Sequence, residues 1–334
     1  MIVKSSYTLA DVARRAHVSE ITVSRVLRNK ASVADATRER VLAVVREMGY
    51  VPNRVAGTLA SSGSNLIGVV LPSLSNVVFP DVLRGIHEQL ATSGYQPVIG
   101  VTDYDLEVEE RLVASLLSWQ PAAMILSGLH HTDYTVEMLR RSGVRIAEVM
   151  DIDATPLDIA VGMSHCRAGA DTARHLYSRG YRRFGYVGHG RERDLRAARR
   201  YEGFCQGLGE LGLSLQGEAF AEGPSSTLAG RDLLASLLAA HPDLDAVAFS
   251  NDDMAVGGLF HCFAAGIRPR EDLALFGFNG LDIGQALPQP LSTIRSHRFR
   301  IGQLAAEMIL ETNEGPGTPI IRDTGYEIIE GATA

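Results

Sequence analysis

The sequence predicts an N-terminal all-α head of helix-turn-helix type, joined to a larger two-lobed α/β body with parallel sheets. Residues 1–63 hold ten Lys/Arg against five Asp/Glu, a net +5, whereas the rest of the chain holds 22 against 34, a net −12. Up to about residue 50 the apolar residues recur at helical spacing; beyond residue 64 short apolar runs alternate with helix-length segments. A basic head on an acidic body points to the head as the part that meets a polyanion. With 334 residues, 46% of them apolar, the chain can bury two or three cores, which excludes global disorder.

In the head, Thr8 precedes Leu9, Val12, Ala13 and Ala16 at i, i+3, i+4 spacing, and Asp11 completes a capping box. His17-Val18 is a short break, after which Ser19 can cap a second helix whose inner side is Val23, Val26 and Leu27. A third helix is expected from about Ala36 to Met48, stopped by Gly49 and Pro52. On the second helix Glu20, Ile21, Ser24, Arg25 and Arg28 share the outer face. Such a face can enter a major groove, where Arg25 can pair with guanine and Glu20 can accept from a cytosine amino group. Thr22 and Thr37 are candidates for phosphate contact. The same pattern is open to a plainer reading, a small helical bundle with an ordinary charged surface.

In the body, strands are expected over 66–71, 96–101, 123–127, 145–150 and 159–161, with helices over 79–93, 105–118 and 133–142 between them. A second series has helices over 165–179, about 195–212, 227–240 and 252–265, and strands over 183–187, 246–250 and 273–276. This alternation implies two parallel sheets with crossover helices. Ligands in such folds bind beyond the carboxyl ends of the strands, often between domains.

Several chemistries are excluded. Gly188-His189-Gly190 follows a strand as a dinucleotide fingerprint would, but Arg193 stands where the third glycine belongs. GxxxxGK[ST] and GxSxG are absent, so no enzyme activity and no cofactor are expected. Cys166, Cys205 and Cys262 are far apart and form no cluster of metal-ligand spacing, so neither a disulfide framework nor a metal is expected. The N-terminus lacks the apolar stretch of a secretory signal, and the run at 66–71 is too short to span a bilayer; the expected compartment is the cytoplasm.

The segments TLADVARRAHVSEITVSRVLRN and TRERVLAVVREMGYVPNRVAGTLAS resemble the DNA-binding head of the lactose/galactose (LacI/GalR-type) repressor family. The stretches GVVLPSLSNVVFPDVLRGI, SNDDMAVGGL and LFGFNGLDIGQALPQPLSTIR extend the resemblance to the body, whose fold in that family is like a periplasmic sugar-binding protein. LLSW, EVMDIDATPLDIAVG and NDDMAVG look most like the gluconate operon repressor branch.

The resemblance implies a DNA-binding domain at 1–52, a hinge helix within 53–63 and a core at 64–334. It places the first lobe at about 64–163 and 295–322, and the second at about 164–294 and 323–334. It implies a homodimer on a pseudo-palindromic double-stranded operator, with the helix at 79–93 (Phe79, Val82, Leu83, Ile86, Leu90) as a dimer face, some of whose stripe must also cover the sheet. DNA contacts are expected from Thr8, Ser19, Glu20, Ile21, Thr22, Ser24, Arg25, Arg28, Asn53, Arg54 and Thr58, and Leu59 would wedge into a minor-groove step. The plainer role for Leu59 is a linker leucine packed on the body.

Effector contacts are expected from Ser73, Asn76, Phe79, Ser127, His130, Asp151, Arg200, Asn251, Asp252 and Asn279. The effector is a small sugar acid: gluconate, 2-ketogluconate or a phosphorylated form, as inducer or corepressor. A guanidinium at Arg200 suits a carboxylate, while Asn, Ser and Asp exchange hydrogen bonds with hydroxyls. Each position has a structural alternative. Asn251 or Asp252 can cap a helix, Asn279 can serve a turn, Arg200 can lie on a solvated face, and His130 and His131 can be surface residues of a loop. A pure solute-binding protein is the rival function, against which the basic head and the missing secretory signal argue.

Overall fold

The computed structural model describes residues 7–27, 32–51, 64–190, 192–311 and 318–334. Arg28, Asn53, Arg54, Thr58 and Leu59, and with them the expected hinge helix, lie outside the described residues. Contacts divide the chain into two compact units at Ser64/Asn65.

In the first unit, α1 (Leu9–Ala16) starts on a capping box: Thr8 Oγ accepts from the Asp11 N–H at 3.3 Å, and the Asp11 carboxylate accepts from the Thr8 N–H at 2.9 Å. His17 closes the helix in the left-handed region, at φ 52°. Ser19 Oγ accepts from the Thr22 N–H at 3.2 Å at the start of α2 (Glu20–Leu27), and α3 (Asp35–Glu47) begins a residue ahead of expectation. Val12, Ala13, Ala16, Val23, Val26, Val41 and Val44 form the core among the three.

The second unit carries two six-stranded sheets. The first contains β1 (Leu66–Leu71), β2 (Gln96–Val101), β3 (Ala123–Ser127), β4 (Arg145–Val149), β5 (Ile159–Gly162) and β11 (Ile320–Asp323), ordered β11-β5-β4-β3-β1-β2 and parallel throughout. The second contains β6 (Phe184–His189), β7 (Leu215–Ala221), β8 (Ala246–Phe249), β9 (Ala274–Asn279), β10 (Ser292–Ser296) and β12 (Tyr326–Ile329), ordered β12-β10-β9-β8-β6-β7, with β12 alone antiparallel to its neighbour.

Successive side chains of a strand point to opposite faces, and the cores follow that rule. Ile67, Val69 and Leu71 pack under α4 (Val78–Leu90), while Val70 packs with Val113 of α5 (Leu106–Leu117) and Leu139 of α6 (Asp133–Ser142). In the second lobe Phe184 and Tyr186 meet Leu176 of α7 (His165–Ser178) and Phe204 of α8 (Leu195–Glu210). Val187 faces Leu234 of α9 (Thr227–Ala240) and Leu259 of α10 (Asp252–Ala265). A single turn, α11 (Asp282–Gln285), follows β9.

The chain leaves the first sheet after β5 and returns after β10, through α12 (Arg298–Glu311), which packs on α4. It crosses again between β11 and β12. Strand β10 runs to Ser296 and β11 to Asp323, so the crossings fall one or two residues later than expected. The sequence pattern predicts neither strands β7, β10, β11 and β12 nor helices α11 and α12. Most of the apolar stripe of the helix at 79–93 covers the first sheet, as part of it was expected to. Phe79, Val82, Ile86 and Leu90 are buried in this chain's own core, with Gly85 against the Phe299 carbonyl of α12, which leaves only Leu83 partly open.

Candidate functional site

In the head, α2 buries Val23 and Val26 and exposes Glu20, Ile21 and Arg25, with Ser24 at its margin. Ile21 is 64% exposed, an unusual position for a branched aliphatic side chain, and it suits a thymine methyl. Thr8 Oγ also donates to Asp11 at 2.7 Å, and the hydroxyls of Ser19 and Thr22 lie 2.9 Å apart, so these three side chains have helix-start duties besides any phosphate contact.

In the body, the strand ends of the two lobes face one another across a cleft with two adjoining hollows. Asn76, Phe79, Arg200, Asn251 and Asn279 line the inner one. Ser127, His130 and Asp151 line the outer one, and Asp194 and Arg196 border both. Two expected residues stand apart. Ser73 Oγ accepts from the N–H groups of Ser75 and Asn76, at 3.2 and 3.3 Å, and staples the loop after β1. The fully buried Asp252 carboxylate accepts from the Leu281 N–H and the Thr293 hydroxyl, both at 2.6 Å, tying α10 to β10. Its environment is structural, and burial pushes its carboxyl up to about 6 against those hydrogen bonds. Asn251 caps α10, accepting from the Met254 N–H at 3.1 Å, which leaves its amide donors for the hollow.

Helix α8 supplies most of the charge. Arg196, Arg199 and Arg200 stand at i, i+3 and i+4 and therefore share one face. Arg196 reaches across the cleft to Ser127 Oγ at 2.9 Å, lies over the Phe79 ring at 5.1 Å, and donates to Asp194 at 3.3 Å. Arg199 pairs with Asp151 on the first lobe. Burial pushes the Asp151 carboxyl up, partly offset by the Asp153 N–H and by Arg199. Asp194, the cap of α8, is also buried, but Arg196, His189 and Arg200 together hold its carboxyl well below the usual carboxylate range.

Arg200 is different. Its guanidinium lies over Phe278 at 4.4 Å and donates to His165 Nδ1 at 3.2 Å. Its buried Nε has no acceptor, and among the described residues no carboxylate lies within ion-pair distance of it. Two buried guanidiniums, Arg196 and Arg200, thus face one carboxylate, Asp194. The deep end of the cleft carries a surplus positive charge and an unused N–H donor.

The sequence offers Arg196 only as one of the nearby arginines that a phosphorylated effector would want, and gives no sign of Asp194, His165, His189, Tyr104 and Phe278 as lining residues. Helical spacing from Arg200 would have flagged Arg196 as its neighbour four residues back. The histidine pair needs correction: His130 is exposed at the outer hollow, but His131 is a core residue, 2.6 Å from Glu109 and 3.3 Å from Glu148.

Comparison with known proteins agrees with this picture. Residues 8–53 match the family described as bacterial regulatory proteins, lacI family, and residues 64–324 match periplasmic binding proteins and sugar binding domain of LacI family. The chain is 36% identical to the HTH-type transcriptional regulator GntR of Escherichia coli K12 over 331 residues, 99% of each chain. It is 39% identical to GntR of Pseudomonas aeruginosa over 324 residues, 96% of this chain and 94% of that one. A crystal structure of a LacI-family transcriptional regulator from Silicibacter pomeroyi superposes with a TM-score of 0.92 at 44% identity, covering 98% of this chain and 99% of that one.

Proposed function

The chain belongs to the LacI family of bacterial transcription regulators, a non-enzymatic family, and we propose that it is a homodimeric repressor released from its operator by a monoanionic sugar acid of the gluconate type. The observation that carries the ligand class is the buried Arg200 guanidinium, which shares the charge of Asp194 with Arg196, has no carboxylate within ion-pair distance among the described residues and keeps Nε unpaired. A buried charge is costly unless paired, and a carboxylate brings both the charge and two acceptors. One surplus charge favours a monoanion over a phosphorylated sugar acid. Ser127, Asn251 and Asn279 add hydroxyl partners around it. The GntR relatives support the same class.

Two copies of the α2 face, related by a two-fold axis, read a pseudo-palindrome. The ligand draws α8 toward the first lobe and shifts the body to the state that releases DNA. It does so only by binding the two body states unequally, with a coupling of roughly 1–3 kcal/mol. A DNA-binding regulator of this kind works in the cytoplasm.

The test is operator release at constant ionic strength. Duplexes are selected from a random pool with the full chain, and D-gluconate is titrated into the complex while fluorescence anisotropy is followed. Wild type releases the duplex, and Arg200→Ala binds it equally well but no longer responds. An Arg200→Ala protein with the wild-type gluconate response refutes the assignment. Release by 2-ketogluconate alone moves the proposal to that acid, and tighter DNA binding on addition makes the ligand a corepressor.

A further inference from the structure

We infer that His165 is the positioning residue of the anion site: it orients Arg200 as a neutral acceptor and so leaves the guanidinium charge for the ligand. The inference deepens the reading of Arg200 as the carboxylate anchor and rests on it.

Hydrogen-bond polarity fixes the state of the ring. A backbone carbonyl only accepts and a guanidinium only donates. His165 Nε2 lies 2.7 Å from the Met150 carbonyl oxygen, and Nδ1 lies 3.2 Å from Arg200 Nη1. Nε2 therefore carries the proton and Nδ1 the lone pair, which makes the ring neutral and fixes its tautomer. Burial first, and the Arg200 charge second, hold its pKa well below the ordinary histidine value.

The residue type matters because of what its alternatives would do. A carboxylate at this position would pair with Arg200 as Asp194 pairs with Arg196, cancelling the surplus charge. An apolar side chain would leave Nη1 without an acceptor beside the unpaired Nε. A neutral imidazole avoids both outcomes. Its other nitrogen is fixed on backbone that is itself unusual. Met150 sits at the end of β4 with φ 75°, and its own N–H donates to the Val161 carbonyl at 2.9 Å. A left-handed methionine costs energy, and here it directs a first-lobe carbonyl at a ring carried on second-lobe helix α7. Asp151, which holds Arg199, is the next residue. The ring therefore ties Arg200 to the same strand end that Arg199 grips.

Two measurements on the full chain test this. The first needs no ligand: imidazole 15N spectra of wild type, assigned by comparison with His165→Gln. The expected signature is a neutral ring with Nε2 protonated; an imidazolium or the Nδ1–H tautomer overturns the inference. The second is calorimetric titration with D-gluconate. His165→Gln keeps a neutral acceptor and donor and holds affinity within about tenfold of wild type, whereas His165→Glu, which cancels the charge, loses about a hundredfold. Equal losses in the two variants, or a tighter Glu variant, overturn the inference while leaving the effector reading intact. Wild type that takes up no sugar acid removes the reading beneath, and the inference with it.

Discussion

The buried His131 makes the stability of the first lobe depend on alkaline pH. Its side chain is 1% exposed, between Glu109 of α5 and Glu148 of β4. Burial alone would lower its pKa, but the hydrogen bond to Glu109 and the charges of both glutamates outweigh that and raise it from 6.5 to about 9. A histidine with a raised folded-state pKa contributes stability that is complete below its unfolded value and lost as pH rises through the folded one. The window here runs from 6.5 to about 9. At about 1.4 kcal/mol per pH unit, the loss across it is about 3 kcal/mol.

Trp119 is the only tryptophan in the chain and lies just beyond α5, so its fluorescence in urea reports this lobe. His131→Leu removes the cation and leaves two glutamates facing one another, a cost of about 3–5 kcal/mol near neutral pH. Between about pH 7.5 and 9.5 wild-type stability falls while the variant stays nearly level, and the gap between them narrows. A wild type with flat stability over that interval, or a variant with the wild-type slope, refutes the assignment of the cation to His131.

Other outcomes follow from the same geometry. A Cβ on Gly169 would lie 2.1 Å from the Arg200 carbonyl oxygen, so Gly169→Ala must push α7 from α8; a loss of about 1–3 kcal/mol in urea unfolding and weaker gluconate binding are expected. Gly209→Ala, on the same α8 with nothing within 4 Å of its Cβ, is the control and costs nothing. The Asp252 carboxyl is raised from 3.8 to about 6, so its ionisation removes stability as pH rises through that interval. Asp252→Asn, which stays neutral, should abolish that part of the pH profile in denaturant titrations at a series of pH values. Thr8→Ala breaks the capping box and should lower protection of the α1 amides in hydrogen exchange by about 1 kcal/mol.

Much of this protein is written locally. The helices of the head follow from apolar spacing, and their starts follow from Thr8 and Ser19. Strands β1, β3, β4 and β5 of the first lobe read directly because parallel strands buried on both faces are short continuous apolar runs. The cap of α10 at Asn251 is equally visible. Edge strands β11 and β12 lack that signal: they are largely exposed, and their partners are β5 and β10, with Ile320 beside Ile159 and Tyr326 beside Ser296.

The site shows the same division. The run RAARR announces cations, but only the packing of α7 against α8 decides that Arg200 lacks a carboxylate while Arg196 and Arg199 have one each. Asp252 and Asn251 are adjacent, yet one carboxylate is consumed in the core and the other side chain lines the cleft. His130 and His131 part in the same way. Periodicity and capping act within a few residues, so sequence alone determined the elements, their order and the charge of each part. What a buried charge is paired with depends on segments brought together from far along the chain, and that was decided only by the tertiary structure.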